Sequence, residues 1–284
     1  MTETRPPSVR RRRLAILLGN LREAAGISPD AAAEHLGCHR SKISRLENAK
    51  LGVSLSELRD LLALYGVEDQ SYVESLVQLA REARHRGWTR HLGAMNPSFV
   101  DEIDHEQTAS YIRTYQPHVI AGLFQTSDYA RAIYKANPEA LDAKRADELV
   151  ELRMQRQEVL HRDEPPRVSL IVGETALRNS IGGREVMKGQ LEHLLSLSER
   201  QPVEIQALPF ATGAHAGLTG AFVIYTFPTP AYTDVVCIEH LTGTLHLEIE
   251  EEVGAYTLAY DSLRSSALPA RASRDLIHQV LHDL

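Results

Sequence analysis

The side chains best suited to chemistry lie between residues 39 and 48, where the chain reads HRSKISRLEN. Ile43 and Leu46 fall at helical spacing and define an inward face, which leaves basic, hydroxyl and amide groups outside or at its edge. Arginine can read guanine O6 and N7 in the major groove, and the shorter polar groups can bind phosphates or base edges. The segment therefore predicts a DNA-binding surface made of His39, Arg40, Ser41, Lys42, Ser44, Arg45 and Asn48. An ordinary helical hairpin with a solvated basic face is the alternative.

The preceding residues predict the element that positions this surface. Ser28 suits an N-cap and Pro29 the first helical position of a short helix. Gly37 can adopt positive φ and so allows a sharp turn into a second helix over residues 38–48. The apolar face of the first helix consists of Ala32, Ala33 and Leu36. A small residue, a glycine and two apolar positions at this spacing are typical of a helix-turn-helix.

The flanking residues predict an all-α N-terminal domain of five helices over residues 10–84, preceded by a flexible arm over residues 1–9. Leucines at 14, 17, 18 and 21 form an apolar stripe in the first helix, and Ser54 is expected to cap the fourth helix. Arg12 and Arg13 lie in a run of four arginines at the helix start. We expect them to contact the DNA backbone or minor groove, with a solvated helix start as the alternative.

Residues 10–65 resemble the lambda-repressor-like (Xre-type) helix-turn-helix family. The resemblance is carried by LREAAGIS at 21–28 and KISRLE at 42–47. It implies a structural ion pair between Arg22 and Glu47. The chain departs from the family pattern where Pro29 replaces a common glutamine and His39 replaces a common serine or threonine cap.

Charge is distributed unevenly along the chain. The 284 residues carry a net charge of −7, but residues 1–90 hold 15 basic and 11 acidic side chains, which gives +4 there and −11 in the remaining 194 residues. A basic DNA reader joined to an acidic domain fits this division, because the acidic part disfavours non-specific coating of DNA.

Two distant cysteines predict no disulfide framework. No apolar run approaches the roughly 20 residues of a membrane span, so we expect no membrane partner and a cytoplasmic, nucleoid-associated protein.

The second half of the chain predicts an α+β domain over residues 98–284, joined by a linker at 85–97. Segments rich in β-branched and aromatic residues predict six strands, and periodic apolar segments predict six helices. The strands are expected at 111–115, 167–172, 203–207, 221–226, 234–239 and 244–248. The helices are expected at 99–109, 127–136, 142–161, 183–199, 250–267 and 271–282.

This half resembles the large C-terminal domain of unknown function that follows such a helix-turn-helix in many regulators of filamentous, high-GC bacteria. The segments that carry the resemblance are IAGLFQTSDYAR at 120–131, RMQRQ at 153–157, GETALR at 173–178 and LPFATGAHAG at 208–217. The resemblance implies a transcriptional regulator, often antitoxin-like and encoded beside a short companion protein. It implies no catalytic activity and no cofactor.

No catalytic or metal-binding motif accompanies these segments. Cys237 and His240 are three residues apart, which places them on opposite faces of a strand and disfavours both shared ligation and a nucleophile–base pair. Glycine-rich residues 210–220 place His215 between two predicted strands, where a loop can cover a pocket. His215, Gln125 and Tyr129 are therefore candidates for a ligand or partner site, with an ordinary connection as the alternative.

These observations together predict a DNA-binding transcriptional regulator and not an enzyme. One helix-turn-helix covers few base pairs, so we expect a homodimer with recognition helices about 34 Å apart on an inverted-repeat operator of double-stranded DNA. The alternative is an antitoxin-like interaction protein that binds a small companion protein and uses DNA binding for autoregulation.

Overall fold

The computed structural model describes residues 9–83, 97–136, 143–228, 233–241 and 243–284. Packing divides them into two units, with the boundary between Asp104 and His105. The sequence predicts a boundary near residue 98, at the start of helix α6 (Pro97–Thr108), whereas the two packing units divide later within this helix. The arm predicted at 1–9, apart from residue 9, and nearly all of the linker predicted at 85–97 lie outside the described residues.

The first unit contains the five predicted helices. They are α1 (Val9–Ala24), α2 (Pro29–His35), α3 (Arg40–Glu47), α4 (Leu55–Leu64) and α5 (Gln70–Glu82). Their apolar faces form one core, in which Leu58, Leu76 and Leu79 are fully buried. The five-helix prediction is therefore confirmed, and the short helices α2 and α3 depend on this shared core because helices of that length are marginal alone.

The second unit is built on a six-stranded mixed sheet in the order β3-β2-β1-β4-β5-β6. The strands are β1 (Tyr111–Gln116), β2 (Arg167–Gly173), β3 (Val203–Leu208), β4 (Phe222–Thr226), β5 (Val235–His240) and β6 (Gly243–Leu247). β1, β2 and β3 are mutually parallel, and the other neighbouring pairs are antiparallel. This confirms the predicted mixture of helices and strands.

Helices cover the sheet and complete the second unit. Besides the end of α6, they are α7 (Ser127–Lys135), α8 (Ala143–Arg156), α9 (Glu174–Arg178), α10 (Arg184–Ser198), α11 (Glu250–Ser266) and α12 (Ala270–Asp283). One sheet face packs against α11, where Tyr260 is fully buried and its hydroxyl donates to the Ser169 carbonyl at 2.8 Å. Within the residues described, no helix is both long enough and apolar enough to cross a membrane.

Candidate nucleic-acid interface

The turn between α2 and α3 has the geometry that the sequence predicts. The Ser28 hydroxyl accepts from the Ala31 amide at 3.1 Å, and Pro29 begins α2. Gly37 has φ +62°, where a side chain would strain the backbone. The Cys38 amide donates to the Ala33 carbonyl at 2.9 Å and closes the turn. Ala33 is buried, so the two helices approach closely and α3 has a fixed direction.

Local hydrogen bonds hold both ends of α3. His39 is its N-cap, and Nδ1 accepts from the Ser41 amide at 3.3 Å. Asn48 is its C-cap, and Nδ2 donates to the Ser44 carbonyl at 2.7 Å. His39 and Asn48, both expected at the DNA surface, are exposed and also define where the helix begins and ends.

A buried ion pair fixes α3 to α1. Arg22 Nε donates to Glu47 Oε1 at 2.6 Å, and Nη2 donates to Oε2 at 3.1 Å. Arg22 also donates to the Ile27 carbonyl at 2.9 Å and to Glu23 Oε1 at 3.3 Å, so the cation has four acceptor atoms although the residue is only 7% exposed. The pKa of Arg22 is raised, chiefly by its hydrogen bond to Glu47. The pair implied by the family resemblance is present, and it orients the recognition helix.

The outward face of α3 presents Arg40, Ser41, Ser44 and Arg45, all of which are exposed. Ile43 and Leu46 point the opposite way and are 1% and 3% exposed. Arg40 lies 3.6 Å from the Asp30 carboxylate in an exposed pair, which contributes little and is easily exchanged for another anion. Among the residues described, no hydrogen bond or ion pair is found for the Arg45 guanidinium. This face can donate hydrogen bonds to bases or phosphates without breaking the core.

Lys42 is placed differently from these four residues. Its ammonium forms an ion pair with Glu57, the third residue of α4. Glu57 also accepts from the Ser54 amide at 3.0 Å, while its own amide donates to the Ser54 hydroxyl at 3.2 Å. The Lys42 hydrogen bond, with help from the Ser54 backbone, lowers the pKa of Glu57 to about 2. Lys42 therefore lies at the edge of the face with its charge already compensated.

Sequence reasoning did not identify Glu57 as part of this site. The available signal is the capping-box spacing of Ser54 and Glu57, which indicates a contact of Glu57 with its own helix start. Nothing in the local sequence indicates that the carboxylate also reaches Lys42, fifteen residues earlier in the chain.

The two arginines expected at the start of the first helix already have protein contacts. Arg12 forms an ion pair with Asp101, and its neighbour Arg10 lies 3.2 Å from Asp104. Arg13 is half-buried and lies close enough to Tyr72 to lower the pKa of that phenol, which burial raises overall. For Arg12 and Arg13 to contact DNA, these contacts would have to be exchanged for phosphates.

The candidate ligand residues of the second unit do not form one site. Gln125 is 2% exposed, donates to the Ile120 carbonyl at 2.6 Å and accepts from Arg153 at 2.8 Å. Tyr129 is fully buried, and its hydroxyl accepts from the Ile120 amide at 3.1 Å. The polar groups of both residues therefore hold the loop at 120–125 in place, and a ligand role for them stays a prediction.

His215 lies elsewhere and packs against the core. Its Nδ1 accepts from the Gly217 amide at 3.1 Å, and its ring meets the Tyr115 ring edge-on at 6.0 Å between centroids. These two contacts of His215 hold the middle of the glycine-rich loop against the core. No contact joins His215 to Gln125 or Tyr129 among the residues described.

The RMQRQ segment has a structural explanation of the same kind. Arg153 binds Gln125, and Arg156 forms a buried bidentate pair with Glu106 at 2.8 and 2.6 Å. Gln157 donates to the carbonyls of Gly122 and Gln125 at 2.9 and 2.7 Å. This segment, one of the four that carry the C-terminal resemblance, therefore supports the fold of the second unit.

Comparisons with known proteins match two separate parts of the chain. Residues 13–76 match a family model described as a helix-turn-helix domain, and residues 99–279 match one described as a domain of unknown function (DUF5753). No curated protein sequence and no solved structure matches the chain significantly.

Proposed function

This chain belongs to the family defined by the domain of unknown function DUF5753, and we propose that it is a sequence-specific DNA-binding transcriptional regulator. The observation that supports this most directly is the exposed face of α3. It carries Arg40, Ser41, Ser44 and Arg45 on a helix whose other side is buried. The match of residues 13–76 to a helix-turn-helix domain supports DNA as the partner.

The geometry of α3 suits insertion into the major groove. An α-helix with its side chains is about 10–12 Å across, which matches the roughly 12 Å width of the major groove. The Arg22–Glu47 pair and the two end caps fix its orientation before DNA arrives, which lowers the entropy cost of binding. Arg45 and Arg40 are the proposed base or backbone readers, and the serines the proposed phosphate or base-edge contacts.

The regulator acts as a homodimer on an inverted repeat, at chromosomal DNA in the cytoplasm. One recognition helix reads only a few base pairs, and two of them about 34 Å apart reach successive major grooves on one side of the duplex. The acidic second unit modulates the regulator by binding a ligand or partner and has no catalytic role in this proposal.

The test is fluorescence-anisotropy binding of the full chain to DNA from upstream of its own gene, at two salt concentrations. Wild type is expected to prefer this DNA over random DNA, with affinity that falls as salt rises because phosphate contacts release counterions. Arg40→Ala/Arg45→Ala is expected to lose about 1–3 kcal/mol for each base-reading arginine, which is roughly 5- to 150-fold in affinity per arginine.

A matched control is Arg264→Ala/Arg271→Ala, which removes the same charge from exposed positions of the second unit. It is expected to bind operator DNA like wild type. Equal binding by wild type and the α3 double variant would remove α3 as the reader. Equal losses of operator affinity in the two double variants would show that the effect comes from net charge and not from contacts made by α3.

A second candidate function is supported by the surface of the second unit. β6 is an edge strand of the sheet, and exposed apolar side chains lie on it or follow it, at Leu245, Ile249 and Leu258. An open strand edge can accept a strand from another chain. The alternative is therefore an antitoxin-like protein that binds a short companion protein, with DNA binding serving autoregulation.

Co-expression with the product of an adjacent short reading frame distinguishes the two. A stoichiometric complex that survives gel filtration, together with weak operator binding by the isolated chain, would favour the interaction protein. Tight operator binding without any companion would favour the regulator.

A further inference from the structure

Three side chains with metal-binding atoms meet on the sheet face opposite α11. They are Cys237 on β5, His246 on β6 and His105 in α6. One potential ligand atom from each, the thiol sulfur and an imidazole nitrogen of each histidine, lies within 4.8 Å of the other two. All three residues belong to the second unit and are separate from the helix-turn-helix.

Strand pairing explains why the cysteine and one histidine meet. Cys237 and His246 are direct partners in the antiparallel β5–β6 pair, so their side chains project from the same face. The neighbouring residues Val236 and Ile238 project to the α11 side. Two ligands are thus fixed by the hairpin backbone, although nine positions separate them in the sequence.

Aromatic packing places the third ligand above this pair. The His105 ring stacks on Tyr225 at 5.4 Å with 27° between the planes and lies 5.7 Å from Phe227. Its centroid is 5.5 Å from that of His246. His105 and Cys237 are each 3% exposed and His246 is half-buried. The cluster is therefore shielded from solvent at His105 and Cys237 and more accessible at His246.

The donor set favours a late first-row transition metal. Thiolate sulfur with two imidazole nitrogens suits zinc, whose bonds of about 2.3 Å to sulfur and 2.0–2.1 Å to nitrogen place tetrahedral ligands about 3.3–3.7 Å apart. Side-chain movements of about 1 Å therefore bring the three atoms from within 4.8 Å to ligand spacing. We propose that the chain binds one Zn²⁺ through Cys237, His105 and His246, with the fourth position open to water or a ligand.

The metal joins parts of the second unit that are distant in sequence. It connects the β5–β6 hairpin, at one edge of the sheet, to the end of α6. Since the ligands converge only in the folded chain, zinc stabilises the folded state by mass action.

The experiment uses the full chain after removal of metal with a chelator. Zinc binding is measured by competition with a chromophoric chelator, and Co²⁺ serves as a spectroscopic probe. The expected result is one equivalent of metal, a thiolate-to-cobalt charge-transfer band and a higher unfolding temperature with zinc. Cys237→Ser is expected to lose the band, and both Cys237→Ser and His246→Asn to weaken zinc binding by at least about tenfold.

Two variants control for other thiols and histidines. His240→Ala changes an exposed histidine of the same strand, and Cys38→Ser removes the other cysteine. Both are expected to bind metal like wild type. Absence of a stoichiometric site in wild type, an unchanged band in Cys237→Ser, or an equal loss in His240→Ala would each overturn the zinc site. Circular dichroism of every variant separates loss of metal from loss of fold, and none of these readouts depends on DNA.

Discussion

At the scale of single residues, Lys42 and Glu57 decide how much positive charge the recognition face presents. The ammonium of Lys42 points along the edge of α3 but is compensated by the carboxylate of Glu57. Arg45 has no such acidic partner among the described residues, so its guanidinium keeps its full charge on the exposed face of α3. A carboxylate on α4 thus lowers the attraction of α3 for phosphates.

Glu57→Gln tests this role directly. Removing the carboxylate frees Lys42 for a phosphate, so operator affinity is expected to rise a few-fold and the dependence on salt to steepen by about one counterion. The measurement is fluorescence anisotropy across a salt series. Asp60→Asn is the control, because it makes the same charge change at an exposed position of α4. Equal gains in the two variants would assign the effect to net charge instead of to Lys42.

Glu57 also predicts a dependence of stability on acid. Its pKa is about 2 in the folded chain and 4.5 in the reference state, so its stabilising contribution is complete above pH 4.5 and is lost as pH falls toward 2. Glu57→Gln is expected to cost about 1 kcal/mol near neutral pH. The difference from wild type should shrink between pH 4.5 and 2 in urea unfolding followed by circular dichroism. A constant difference across this range would contradict the assignment.

At the scale of elements, the glycine-rich loop at 210–220 is held by a close approach. A Cβ at Gly217 would lie 2.3 Å from Cε1 of Tyr115, a ring that is 2% exposed and packs 5.9 Å from Phe222. The loop therefore needs a residue without a side chain at this position. A rigid aromatic ring in a packed core cannot move away at low cost.

Gly217→Ala is accordingly expected to destabilise the second unit by about 1–3 kcal/mol. The same substitution at Gly189, inside α10 with no atom within 4 Å of the new Cβ, is expected to stabilise it by about 1 kcal/mol. Thermal unfolding of the two variants measures both changes in stability, the expected loss for Gly217→Ala and the expected gain for Gly189→Ala. A neutral Gly217→Ala would mean that the loop is free to move away from Tyr115.

The elements themselves were largely predictable from the sequence, because their signals are local. Strand β2 (Arg167–Gly173) and helix α10 (Arg184–Ser198) each lie within one residue of the predicted bounds. Short α9 was not predicted, since five residues are too few to show a helical period. The Lys42–Glu57 pair and the Cys237–His246 pair depend on tertiary contact and strand register. Neither pair can be predicted from the spacing of residues along a single helix or strand.

The same distinction explains the outcome for the candidate site residues. The exposed face of α3 could be predicted because Ile43 and Leu46 fix which side is inward. The hydrogen bonds of Gln125 and Tyr129 to Ile120 could not be predicted, because a polar residue in a recognisable motif looks the same in sequence whether it binds a ligand or the backbone.

At the scale of the whole molecule, a basic reader and an acidic second unit are joined in one chain. Residues 1–90 carry a net +4 in a protein of net −7. Such a chain gains little from non-specific attraction to DNA, because the acidic residues repel the duplex beyond the local basic face. In the proposed function, specific affinity comes from contacts made at two half-sites by a dimer, since a single short recognition helix supplies too few.

Half-site spacing tests this requirement. Once the operator is located by footprinting, inserting about five base pairs between the half-sites turns them to opposite sides of the duplex, because one turn takes about 10–10.5 base pairs. Affinity is expected to fall to that of an isolated half-site, whereas exchanging the central base pairs at constant spacing should have a smaller effect. Analytical ultracentrifugation of the complex should give two chains per operator. A single chain bound to an unrepeated site, with affinity unaffected by the insertion, would show that the monomer carries all of the recognition.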